Sequence, residues 1–383
     1  MIKVLNVVGA RPQIIKASAI NRAIGNRFRK EIKEVIIHTG QHYDRELSSV
    51  FFDELKISSP HYNLDVGSAS HSKQTASIMT GIEELILKEQ PDCIIVYGDT
   101  NSTMATALAA SKSHCPVIHI EAGLRSYNKS MPEEINRIVT DHVSSMLFSP
   151  TNAGFKNLIN EGFRPDNSPP FTIDNPKIYH SGDIMYDNAL FYGELALKKK
   201  KFLEVHGINP DNFALATIHR ENNTEDLVKL ESILAALRNI SIEKGIQIVL
   251  PLHPRTTDAM ERSLSGTFLM ELRSDVGLII LPPVPFLEFI LLERNAKIII
   301  TDSGGVQKEA HFFEKPCIIL RKETEWVELV DNGTSYLANS SEKEIMKAFD
   351  MYINGKKYDF PRFYGDGKTA EFICEELIMN YSN

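Results

Sequence analysis

The sequence predicts an α/β protein of two doubly wound parallel sheets, and three observations carry that expectation. Short apolar runs without polar alternation recur ahead of amphipathic stretches: Val4 to Val8, Val35 to His38, Cys93 to Tyr97 and Val117 to Ile120, then Ala214 to Ile218, Ile246 to Leu250, Leu278 to Leu281, Ile298 to Ile300 and Cys317 to Leu320. Such strands, separated by helices, belong in parallel sheets covered on both faces. Between the two sets lies Glu161 to Asp183, where Pro165, Pro169, Pro170 and Pro176 stand among Asn, Asp and Ser, a composition suited to a linker or surface loop. A chain of 383 residues also exceeds what one core comfortably holds, so a domain boundary is expected near residue 175. Ligands of open α/β sheets lie beyond the carboxyl ends of the strands, so two such domains face to face would enclose a cleft lined by residues that follow strands.

Composition narrows the partners. The chain is 43% hydrophobic and 24% charged with a net charge of -8, which argues against a nucleic-acid or anionic-membrane protein, since those surfaces need basic excess. The Lys198 to Lys201 run is read as a solvated helix end. Cys93, Cys115, Cys317 and Cys374 stand far apart with no C-x-x-C spacing, suggesting neither zinc nor disulfides and fitting a reducing cytoplasm. The N-terminus begins directly with a strand and no apolar stretch approaches ~18 residues, so neither a signal peptide nor a membrane span is expected.

After the first strand comes Gly9-Ala10-Arg11-Pro12-Gln13-Ile14-Ile15-Lys16, which lacks the G-x-G-x-x-G spacing of a dinucleotide site. Pro12 sits where a helix can begin, and Arg11 with Lys16 would set two cations beside its N-terminus, useful against a diphosphate or simply solvated. Asp99 follows the Cys93 to Tyr97 strand and Glu121 follows Val117 to Ile120, placing two acids at one mouth. Asp99 would serve equally as the N-cap of the next helix. Glu121 has no capping role, and an acid held among apolar neighbours tends to keep its proton, which suits a general acid. Pro132, Glu133 and Glu134 then open a helix; a carboxylate in a first turn is favoured as an anion, so Glu133 would act as a base, with Arg137 four residues on to orient it.

In the second half, His219 and Arg220 follow one strand and His253 follows another, so both histidines would face the cleft. His219 beside Arg220 would be biased toward the neutral form, or toward donating to a phosphate. The stretch Asn295 to Glu309 is a buried-strand run that stops in a double-glycine turn and restarts as a helix. Backbone N–H groups of Ser303, Gly304 and Gly305 there would cradle a phosphate, and Glu309 would accept from a ribose diol, so the pair suits a nucleotide. A plain helix N-cap explains the same residues.

Taken in order, these segments resemble the non-hydrolysing, bacterial type of the UDP-N-acetylglucosamine 2-epimerase family. The similarity runs from Gly-Ala-Arg-Pro-Gln through Tyr-Gly-Asp-Thr-Asn-Ser-Thr, His-Ile-Glu-Ala-Gly-Leu-Arg, Met-Pro-Glu-Glu-Ile-Asn-Arg and Thr-Asp-Ser-Gly-Gly-Val-Gln-Lys-Glu-Ala to Tyr364-Gly365-Asp366-Gly367. The resemblance implies a GT-B-like architecture: a Rossmann-like domain over 1–175, a second, UDP-binding one over 176–365, and a helix within 366–383 packing back on the first. It implies a homodimer, and a reaction without metal or nicotinamide cofactor. UDP is eliminated across C1–C2 to a 2-acetamidoglucal and re-adds with a proton delivered to the opposite face of C2. It assigns Asp99, Glu121 and Glu133 to the acid/base set, His219 to the diphosphate, and Arg11, Lys16, Arg137, His253, Ser303, Gly304, Gly305 and Glu309 to substrate binding.

Two segments depart from that pattern. Members active on UDP-GlcNAc commonly carry Gln-His-Arg-Glu-Met, associated with allosteric substrate binding, where this chain has Gln41-His42-Tyr43-Asp44-Arg45. Their Thr-Glu-Arg-Pro-Glu is here Thr324-Glu325-Trp326-Val327-Glu328, closer to the branch that epimerises UDP-2,3-diacetamido-2,3-dideoxy-glucuronate. A hydrolysing epimerase, a GT-B glycosyltransferase and a UDP-sugar sensor are the competing classes. The full motif set argues against the first, the acidic balance against the second, and the grouped carboxylates against the third.

Overall fold

The computed structural model describes residues 1–40, 52, 54–354 and 357–382. The chain divides into two compact units, Met1–Asn188 together with Arg362–Asn383, and Ala189–Pro361. The Gln41 to Arg45 segment lies outside the described residues. Among the described residues no helix is long and apolar enough to cross a membrane.

The first unit is built on β1 (Ile2–Val8), β2 (Ile32–His38), β3 (Tyr62–Asn63), β4 (Cys93–Tyr97), β5 (Val117–Ile120), β6 (Met146–Ser149) and β7 (Lys177–His180). They form one sheet in the order β3-β2-β1-β4-β5-β6-β7, and every neighbouring pair is parallel. The second unit uses β8 (Phe213–Thr217), β9 (Gln247–Pro251), β10 (Leu278–Leu281), β11 (Ile298–Thr301), β12 (Cys317–Ile319) and β13 (Ser335–Leu337) in the order β10-β9-β8-β11-β12-β13, again all parallel. In each unit the chain starts on an interior strand, adds strands to one side, then returns to add the rest on the other. The predicted fold class of two doubly wound parallel α/β domains is the one observed.

The strands are continuous apolar runs because helices cover both faces. In the second unit Ala214, Ala216, Ile248, Leu250, Ile298 and Ile300 pack with Leu230, Ile233, Leu234 and Leu237 of the helix Leu227–Lys244. That helix begins where the Asp226 carboxylate accepts from Lys229 N, and ends at Gly245 with φ of 62°. Each fully buried Leu or Ile contributes about 1.5–3 kcal/mol, so cores of this size outweigh the polar cost of the strand ends.

Two boundaries differ from expectation. The unit division falls after Asn188 rather than near residue 175, because β7 lies inside the Pro-rich segment and adds to the first sheet. The residues before it form a braced surface loop, with Lys177 Nζ donating to the Pro165 and Asn167 carbonyls at 2.7 and 3.1 Å and Asn175 Nδ2 donating to those of Ser168 and Pro170. The chain also re-enters the first unit at Arg362, ahead of residue 366.

The last helix, Thr369–Tyr381, is tied to the first unit by Phe372 against Phe148 and Tyr179, by Tyr179 donating to Glu376 at 2.7 Å, and by Arg27 paired with Glu371 and Glu375. Its N-terminus is capped from a distance: the Asp187 carboxylate accepts from Thr369 N at 3.2 Å and Ala370 N at 2.8 Å. Burial pushes this carboxyl up to about 6, against the partial relief those donors give. An acid whose folded value exceeds its unfolded value of ~3.9 contributes stability below that unfolded value and loses it as pH rises through the folded one. Urea unfolding should therefore show Asp187 opposing stability by about 3 kcal/mol at neutral pH relative to acid. Asp187→Asn, which keeps an acceptor and drops the charge, should flatten that part of the slope.

Candidate active site

In the first unit the winding reverses between β1 and β4, so the segments leaving these strands diverge and open a crevice. Gln13 stitches it. Its Oε1 accepts from Gly9 N and Ala10 N at 2.9 and 3.1 Å, and its Nε2 donates to the Tyr97 carbonyl and Thr103 Oγ1 at 2.9 and 2.8 Å. The turn it holds has no spare room: a Cβ on Gly9 would lie 2.1 Å from Ser102 Oγ.

Four predicted residues meet at this crevice. Arg137 Nη2 donates to Asp99 Oδ2 at 2.6 Å and to Glu121 Oε1 at 3.3 Å, and Lys16 Nζ reaches Glu121 Oε2 at 2.6 Å. Arg137 bridges the two carboxylates because the helix Pro132–His142 starts alongside their strand ends. Asn136 on the same helix donates to the Asp99 carbonyl at 2.9 Å. The N-cap alternative for Asp99 fails, since Thr100 caps the helix Asn101–Lys112 by accepting from Thr103 N. Glu121 is not held among apolar walls as expected; it lies between two cations, Lys16 and Arg137. Its backbone φ is +73°, a left-handed conformation in which a non-glycine residue is strained, and such strain gathers at functional positions. Gly98, φ +64°, leaves space here: its Cβ would lie 3.4 Å from both Glu121 Oε1 and Lys16 Nζ.

Arg11 and Glu133 lie in the first turns of their helices. Arg11 is exposed at its helix start within the field of Glu54. Glu133 is exposed in the first turn of its helix, and among the described residues no hydrogen bond or ion pair joins it to Arg137, contrary to the i,i+4 expectation. The buried acid of that turn is Glu134, whose carboxylate accepts from Ser126 N, Ser126 Oγ and Tyr127 N at 2.8–3.0 Å and fixes the preceding loop.

In the second unit the reversal lies between β8 and β11, and one carboxylate organises it. Asp302, fully buried, accepts from His219 Nδ1 at 2.8 Å, from His219 N and Arg220 N at 3.1 Å, and from Asn223 Nδ2 at 3.1 Å. Burial would raise its carboxyl, but these donors, His219 first, hold it below the usual range. The imidazole partner of His219 is thus Asp302 rather than Arg220, and with Nδ1 engaged the ring presents Nε2. Nothing in residue spacing signalled this role for Asp302.

Ser303 is the N-cap of the helix Gly304–Phe312, its Oγ accepting from Val306 N. The structural role is therefore real, and it leaves the Gly304 and Gly305 N–H groups in the first turn, where no intrahelical acceptor exists. Trp326 Nε1 donates to the Gly304 carbonyl at 2.8 Å and Lys308 Nζ stands 4.4 Å from the Trp326 ring centre. Arg321 forms a two-point pair with Glu325 at 2.8 Å beside Gly304. Glu309 is half-buried on the same helix, and His253 is exposed at the end of β9, next to β8 in the sheet.

Residues 26–378 match the family described as UDP-N-acetylglucosamine 2-epimerase. The chain is 44% identical to the UDP-2,3-diacetamido-2,3-dideoxy-D-glucuronate 2-epimerase of Pseudomonas aeruginosa, over 98% of this chain and 99% of the relative. It is equally 44% identical, with the same coverage, to a UDP-N-acetylglucosamine 2-epimerase homolog of Methanococcus maripaludis. The crystal structure of Methanocaldococcus jannaschii UDP-GlcNAc 2-epimerase in complex with UDP-GlcNAc and UDP superposes with a TM-score of 0.81 at 38% identity, covering 98% of this chain and 99% of that one. Matched by that family model over residues 26–378 and similar to these relatives along nearly its whole length, the chain belongs to the UDP-N-acetylglucosamine 2-epimerase family.

Proposed function

We propose that the protein inverts C2 of a UDP-N-acetylated hexosamine, with UDP-GlcNAc and UDP-ManNAc as the pair interconverted. The observation that carries this is Arg137 bridging Asp99 and Glu121, with Lys16 on the far side of Glu121. Proton transfer at both faces of one carbon needs more than one carboxylate, and a shared cation keeps two of them close without mutual repulsion. One carboxylate takes the C2 proton while the C1–O bond breaks and UDP leaves with its electron pair, giving the 2-acetamidoglucal. UDP then re-forms the C1–O bond as a proton is delivered to the other face of C2. Asp99 and Glu121 are the proposed carriers, with Glu133 as the third member of the acid/base set.

For UDP, the Gly304 and Gly305 N–H groups with the capped turn at Ser303 would take the diphosphate, Glu309 the ribose diol, and His219, aligned by Asp302, would donate from Nε2. Arg11, Lys16, Arg137 and His253 complete the proposed substrate contacts. The small-molecule partner is a UDP-sugar, and the protein would work as a cytoplasmic homodimer without metal or nicotinamide.

A second substrate, UDP-2,3-diacetamido-2,3-dideoxy-glucuronate, is favoured by one feature, Trp326 at the rim of the cradle with Lys308 over its face. Proton NMR with UDP-GlcNAc in D2O tests both readings. UDP-ManNAc deuterated at C2 is the expected result; free ManNAc with UDP would indicate hydrolysis, and an unchanged spectrum would move the assignment to the diacetamido-uronate. Glu121→Gln should lower turnover by ~10²-fold or more while UDP affinity by calorimetry stays nearly constant. Gly98→Ala, forced into a left-handed backbone against Glu121 and Lys16, should reduce kcat by about tenfold in the same NMR assay.

A further inference from the structure

Behind the carboxylate cluster lies a second, buried charge chain. His119, on β5 two residues before Glu121, has Nδ1 2.7 Å from Asp141 Oδ1 and Nε2 2.8 Å from the Gly98 carbonyl. Asp141 Oδ2 accepts from Arg125 Nη2 at 2.7 Å and from Gly123 N at 3.1 Å. Arg125 makes a two-point pair with Glu161, Nε to Oε1 at 2.7 Å and Nη2 to Oε2 at 2.6 Å, and donates from Nη1 to the Leu124 carbonyl. The side chains of His119 and Asp141 are 0% exposed and that of Arg125 is 1% exposed.

A neutral imidazole offers one donor and one acceptor. Here both ring nitrogens meet acceptors. A carbonyl oxygen has no hydrogen to give, and Asp141 already takes donors from Arg125 and Gly123. Burial alone would raise the Asp141 carboxyl, yet His119 and Arg125 hold it below the usual range.

We propose that His119 is a positioning residue that carries hydrogen on both ring nitrogens and, through Asp141 and Arg125, fixes the two turns from which Asp99 and Glu121 project. The points it pins are Gly98, immediately before Asp99, and Gly123, two residues past Glu121. Both glycines and Glu121 itself have positive φ, at +64°, +80° and +73°, so this stretch of backbone needs external restraint to stay as it is. Gly98 N in turn donates to the Ile120 carbonyl at 2.9 Å, joining the two turns directly. His119, Asp141 and Arg125 are buried and reach the Asp99 and Glu121 turns through the Gly98 carbonyl and Gly123 N–H, so their effect passes through the geometry of the carboxylates. This role rests on the epimerase reading given above.

The test combines a spectroscopic and a kinetic measurement on the full chain. In a long-range 1H–15N correlation spectrum of histidine-labelled protein at about pH 8, where exposed imidazoles are neutral, one histidine should keep hydrogens on both ring nitrogens. Its signal should be the one missing from His119→Gln. A single-hydrogen tautomer at that residue would overturn the proposal. His119→Gln, able to donate to only one of the two acceptors at good geometry, and Asp141→Asn, which removes the charge at constant shape, should each lower kcat by about tenfold or more with KM unchanged within about twofold. Unchanged kcat in either folded variant, or a rise in KM alone, would also overturn it. Should His119→Gln fail to fold, Asp141→Asn and the wild-type spectrum still decide. Loss of the epimerase reading would show separately, as wild-type protein inactive on both UDP-sugars.

Discussion

Everything chemical in this molecule depends on where two parallel sheets reverse their winding. A parallel sheet that begins on an interior strand must send its later strands to the other side, so neighbouring loops at the reversal diverge and leave backbone groups without ladder partners. Each unit meets that deficit with one buried polar side chain. Gln13 supplies two acceptor and two donor contacts between β1 and β4, and Asp302 supplies a carboxylate to the segment after β8 from the end of β11. Residues remote in sequence are thereby brought to the same strand ends.

The charge arrangement at the first crevice follows from the same constraint. Lys16, Glu121, Arg137 and Asp99 form an alternating chain of two cations and two anions, half-buried, neutral in sum before any ligand enters. Buried ions lose hydration that only close partners replace, which explains why each carboxylate is matched to a cation within 2.6 Å. A carboxylate surrounded this way is set by its neighbours rather than by apolar walls. The positive φ of Glu121 costs about 1–2 kcal/mol, and its persistence argues that the direction of this carboxylate matters more than local ease.

Much of this was legible in the sequence, and what was not has a physical cause. Long apolar runs marked the interior strands correctly because parallel strands covered on both faces cannot alternate. Tyr62–Asn63, Met146–Ser149, Lys177–His180 and Ser335–Leu337 went unread: they are short, and three of them sit toward sheet edges where polar residues are tolerated. Asp99, Glu121, Lys16 and Arg137 were visible as charged residues at strand ends and helix starts. The partner of Arg137 was misjudged because helical spacing reports only neighbours on one helix, while its contacts are with strand ends. Asp302, Gln13, His119 and Asp141 act through partners between 16 and 90 residues away or through backbone atoms, which no local pattern encodes.

The division between shared chemistry and differing substrate can be argued from the same geometry. UDP-GlcNAc and the diacetamido-uronate share the UDP group, the N-acetyl at C2 and the C2–H bond; they differ at C3 and in the carboxylate beyond C5. Groups that move the C2 proton therefore serve both, and discrimination belongs to residues that meet the rest of the sugar. Trp326 is suited to such a role because it is already fixed: its Nε1 braces the Gly304 carbonyl, and the Lys308 ammonium lies over its ring. Arg321 beside it is matched by Glu325 at 2.8 Å, and that cation holds the Glu325 carboxyl below the usual range against its burial. Differences at this rim, more than any among the proposed proton-transfer residues, would separate the two substrates.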